Sequence, residues 1–77
     1  MIDFNFWKIR KSHTWLDDTS LYLLESKARM YTIVVEYPDD HIVSLASAFD
    51  WQTALSRYNL HKSYLMKNRT EWWNCID

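Results

Sequence analysis

The chain has no glycine at any of its 77 positions, and its one proline is Pro38. Glycine enters left-handed backbone without the penalty that a Cβ imposes. A chain that lacks it must build its difficult turns from Asn, Asp or Ser, whose short polar side chains tolerate or imitate that geometry. It cannot form the glycine-rich loops that cradle phosphates. None of its serines sits in a glycine-flanked nucleophile elbow. The composition also differs from the Pro-, Gly- and Ser-rich profile of linkers and disordered chains. Pro38-Asp39-Asp40 is the clearest turn signal.

So short a chain buries only about 60% of its unfolded surface, so each buried side chain must contribute a large area. Five Trp, five Tyr and three Phe supply that area, which makes a single compact domain over residues 1–77 feasible. Cys75 is the lone cysteine, which excludes an internal disulfide and a cysteine cluster for zinc. With no basic segment ahead of an apolar run at Met1-Ile2-Asp3-Phe4, and no apolar stretch near the ~20 residues that span a bilayer, the expected location is the cytoplasm, off the membrane. Asn68-Arg69-Thr70 has the form of a glycosylation sequon, which matters only in a secreted chain.

The pattern predicts an α+β fold with strands at about 2–10, 20–25, 29–37 and 41–46. Ile2, Phe4 and Phe6 alternate with polar residues; Trp7 and Ile9 then take the opposite phase, which implies a bulge or cover on both faces. Residues 11–19 read as a loop pinned by Trp15 and Leu16. Residues 20–29 fit a strand entering a hairpin, with a helix as the competitor. Met30 to Tyr37 has the β-branched and aromatic enrichment of a central strand. Ser47 with Asp50 three residues on resembles a helix cap, and Ala48, Trp51, Leu55 and Tyr58 form an apolar stripe. Helices are therefore predicted at about 48–58 and 61–73, separated at Asn59.

The expected function is non-catalytic binding. Trp72 and Trp73 are adjacent, and adjacent helical positions point about 100° apart, so both rings cannot follow one inward direction. With Arg69 and Tyr64 they make a candidate protein-binding set, because Trp and Arg are favoured interface anchors. A stoichiometric inhibitor or adaptor is the leading reading. The alternative is nucleic-acid binding by the basic 57–69 segment, through Arg57, Tyr58, His61, Lys62, Lys67 and Arg69. There, cations would meet phosphates and a tyrosine ring would stack on a base. A formal net charge of −1 opposes a general nucleic-acid coat but not a local patch, and Lys8, Arg10 and Lys11 form a second basic run. A structural homodimer is the third reading. The densest group with catalytic or metal-binding potential is Asp39-Asp40-His41, on a turn that points its side chains apart. No cofactor, metal site or catalytic residue is expected.

Overall fold

The computed structural model describes residues 6–76, with side chains described for residues 6–66. Four strands, β1 (Trp7–Thr14), β2 (Ser20–Ser26), β3 (Tyr31–Glu36) and β4 (Ile42–Ala48), form an antiparallel sheet in the order β1-β2-β3-β4, followed by one helix, α1 (Trp51–Ile76). The α+β class stands. Of the predicted first strand, residues 2–5 lie outside the described residues.

The three hairpins share one turn construction. In the first, the Trp15 N–H donates to the Thr19 carbonyl at 2.9 Å and the Asp18 N–H to the Trp15 carbonyl at 3.0 Å. Ser26, Arg29 and Met30 repeat this pattern, as do Tyr37, Asp40 and His41. The third loop residue is left-handed each time, with φ of 67° at Asp18, 62° at Arg29 and 66° at Asp40. This is the three-residue hairpin loop whose last position favours glycine. The positions step evenly, since 29 − 18 and 40 − 29 are both 11. Side chains reinforce the backbone: Asp17 Oδ1 accepts from the Thr19 N–H and Asp39 Oδ1 from the His41 N–H, each at 3.1 Å. Ser26 Oγ accepts from the Ala28 and Met30 N–H groups in the middle turn. Asp therefore replaces glycine at two turns, as a glycine-free chain requires. Arg29 departs from that expectation.

Register explains the core. Leu21 stands between His13 and Val35, with Val43 beyond; Leu23 stands between Lys11 and Ile33, with Ala46 beyond. Leu21, Leu23, Ile33 and Val35 are fully enclosed under α1, with Ala54 and Tyr58 descending from the helix. Burying each such aliphatic side chain contributes about 1.5–3 kcal/mol. The opposite sheet face carries a smaller cluster, in which Leu24 and Val34 pack with Trp7, Tyr22 and Ile42.

Two bulges adjust the edge strands. On β1 the register slips between Ile9 and Lys11, and Arg10 reaches the helix side, where it pairs with Glu25 at 3.5 Å and lies 5.5 Å from the Trp51 ring. On β4 the slip leaves Leu45 unpaired against β3, and Leu45 and Ala46 both pack on the main core.

Three expectations need correction. The loop expected over 11–19 is strand through Thr14, and of its two supposed anchors Trp15 is buried while Leu16 is exposed. Ser47 does not cap a helix, because Ser47 and Ala48 belong to β4; the cap is Asp50, whose Oδ2 accepts from the Thr53 N–H at 2.8 Å. The two predicted helices are one. Asn59 alone does not stop a helix that contains neither glycine nor proline.

Candidate functional site

α1 has two unlike flanks, and its first turns establish which is which. Asp50 anchors the N-terminus. The Thr53 N–H and then the Thr53 hydroxyl hold its carboxyl below the usual carboxylate range, and Arg57 adds to the effect. Arg57 Nη1 donates to the Ser47 carbonyl of β4, which turns the Arg57 side of the helix towards that strand. At about 100° per residue, Leu60 and Tyr64 lie within roughly 60° of Arg57 around the axis. Ala54 and Tyr58 mark the inward direction, with Leu65 half-buried along it.

The β4-side flank is therefore rich in exposed apolar surface. Leu60 is 51% exposed and Tyr64 59%, while Phe49, in the link from β4, is 85% exposed. Isolated exposed apolar side chains are ordinary, and Met66, Leu16 and Ile9 are exposed elsewhere, but Leu60 and Tyr64 side by side on one flank mark a candidate interaction surface. Of the protein-binding set read from sequence, Tyr64 is on this flank. The side chains of Arg69, Trp72 and Trp73 lie outside the described residues.

The opposite flank is basic. Lys62 is close enough to His13 of β1 for its charge to act on the ring. His13 stacks edge-on against Trp15, with centroids 4.5 Å apart. Burial first, and then Lys62, push the His13 imidazole below its ordinary pKa. On the same strand, Lys8 stands opposite Glu25 and Lys11 opposite Leu23. The fold thus brings Lys62 near His13 of β1 and separates it from Arg57, about 140° away around α1.

The nucleic-acid set is dispersed accordingly. Tyr58 is 3% exposed and offers no ring face to a base, and burial raises its hydroxyl pKa. Arg57 is exposed but engaged with Ser47. His61 and Lys62 are half-buried, and the Lys67 and Arg69 side chains lie outside the described residues. Asp39-Asp40-His41 is occupied in building its turn. Among the described residues no three His, Cys, Asp or Glu side chains come together as a metal site, and no helix is long and apolar enough to cross a membrane.

Sequence reasoning missed Phe49 and Leu60. The available signal was the spacing of Ala54, Tyr58 and Leu65, which defines an inward stripe that excludes Leu60. No protein-family model, curated protein or solved structure matches the chain.

Proposed function

We propose that this chain is a non-catalytic, cytoplasmic protein-binding module that acts as a stoichiometric inhibitor or adaptor through the β4-side flank of α1. The observation that carries the reading is the exposure of Phe49, Leu60 and Tyr64 together beside a well-packed core. A large aromatic loses little conformational freedom on binding and contributes much contact area, so Phe49 and Tyr64 suit the role of anchors.

The test is a Leu60→Ser/Tyr64→Ser variant, captured against native-cell extract beside the wild type, with folding stability measured in parallel. The expected result is loss of the captured partner with stability unchanged to within about 0.5 kcal/mol, as for exposed sites generally. Capture of the same partner at the same affinity would remove the flank from the function.

A second reading has one observation in its favour, the approach of Lys62 to the β1 strand that carries Lys8, Arg10 and Lys11. Single-stranded nucleic acid bound there would dissociate steeply with added salt, whereas an apolar protein interface would be less sensitive.

A further inference from the structure

Among the described residues the meander leaves both sheet edges without a strand partner, and the two edges differ in kind. Each presents backbone N–H and C=O groups able to pair with another strand, a hazard that soluble proteins suppress with charge, proline or bulges. The β1 edge is guarded by Lys8, Arg10 and Lys11, with a bulge at Arg10. The β4 edge, Ile42-Val43-Ser44-Leu45-Ala46-Ser47-Ala48, contains no charge and no proline. Its bulge at Leu45 interrupts the ladder to β3 but leaves the edge uncharged. Exposed Leu60 and Tyr64 lie on the flank of α1 that Arg57 turns towards β4, and exposed Phe49 follows β4 in the chain.

We infer that β4 pairs antiparallel with β4 of a second copy about a two-fold axis, joining two sheets into one. The inference rests on the protein-binding reading and names its partner. A second copy fits for reasons of charge and symmetry. Two β1 edges would oppose lysine and arginine to themselves, whereas the residues of two β4 strands carry no charge, and the charge nearest that edge is Arg57 of α1, whose guanidinium donates to the Ser47 carbonyl. A two-fold axis perpendicular to the sheet keeps both helices on one face, so the Leu60 and Tyr64 flanks approach each other across it. Such an interface is self-complementary by construction. Arg57, which also approaches its own symmetry mate, has Asp50 as a counter-charge within its own chain. A register centred between Leu45 and Ala46 sets Ser44 of one copy opposite Ser47 of the other. Both serines are exposed, so lysine or glutamate fits there without disturbing the core.

The test uses light scattering and sedimentation over a micromolar concentration series. The wild type is expected to be dimeric. Ser44→Lys/Ser47→Lys and Ser44→Glu/Ser47→Glu are each expected to weaken the dimer about a hundredfold or more, as like charges set against each other at an interface do. Both are expected to keep the wild-type circular dichroism spectrum, and an equimolar mixture of the two to recover a heterodimer. A monomeric wild type overturns the inference, as does a lysine variant that dimerises as tightly as the wild type. A dimer broken by Leu60→Ser/Tyr64→Ser but untouched by the serine variants overturns the edge pairing and leaves the α1 flank as a binding surface. Absence of any partner for that flank in extract, with the edge dimer intact, would instead count against the inhibitor or adaptor role.

Discussion

Arg29 is the residue whose conformation is least natural to its type. Its φ of 62° places a long side chain in left-handed backbone, at a cost of about 1–2 kcal/mol. Asp18 and Asp40 hold the same geometry more easily, because short polar side chains tolerate it. Arg29→Gly is therefore expected to stabilise the fold by about 0.5–1 kcal/mol after the added flexibility of the unfolded chain is offset. Asp18→Gly should gain less. Urea denaturation measures both, and a lower midpoint for Arg29→Gly would contradict the turn assignment. His13 offers a pH-dependent test. Its folded-state pKa is lowered, so the fold binds its proton less tightly than the unfolded chain does. The stability it contributes is complete above the ordinary imidazole range and is lost as pH falls through the lowered value. Lys62→Gln should raise the His13 pKa part of the way, since burial, the larger cause, remains. An NMR titration in which Lys62→Gln leaves His13 unmoved would separate the basic flank of α1 from β1. The turn at Asp40 was legible because Pro38 and Asp39 have a local purpose there. The placement of Arg29 was not, because the hairpin imposes that φ and the side chain does not invite it.

At the level of elements, β3 and β4 were readable, β2 was left between strand and helix, and the second half of β1 was not read as strand. Residues 20–26 and 31–36 carry the apolar and β-branched side chains that interior burial demands. Lys11, Ser12, His13 and Thr14 have no such pattern, because an edge strand that the helix does not cover need not bury a face. They are extended because β2 offers them hydrogen-bond partners from Leu23 to Ser20. The continuous helix was obscured by Asn59, a residue equally at home in a turn. Once a helix is nucleated, extending it through one poor residue costs a few tenths of a kcal/mol, whereas starting a second helix costs a new nucleus. Asn59→Ala is accordingly expected to stabilise the protein by about 0.5 kcal/mol and leave its helical signal undiminished. A loss of ellipticity would indicate that Asn59 terminates one helix and starts another. At 26 residues, α1 is about 39 Å long, against about 23 Å for a seven-residue strand. The helix outruns the sheet beneath it.

For the molecule as a whole, stability depends on a few enclosed aliphatic side chains. A domain of this length has a stability on the order of 4–12 kcal/mol. Leu23→Ala, at a fully enclosed site, is expected to cost about 2–5 kcal/mol, a large share of that total. Leu16→Ala, at an exposed turn position, should stay within about 0.5 kcal/mol of the wild type. Equal losses at the two sites in chemical denaturation would contradict the location of the core. The amino-acid sequence by itself determined the α+β class, the central strand over Met30 to Tyr37, the absence of glycine-rich phosphate loops and the need for short polar residues at tight turns. Those properties follow from local backbone preference and from the period of apolar residues, which are written along the chain. Only the tertiary structure decided that Leu60 and Tyr64 are exposed, that Lys62 comes near His13 of β1, and that one edge strand carries lysine and arginine while the other carries no charged residue of its own. Those depend on which side of a helix lands on which strand, a relation between residues far apart in the chain that no local pattern encodes.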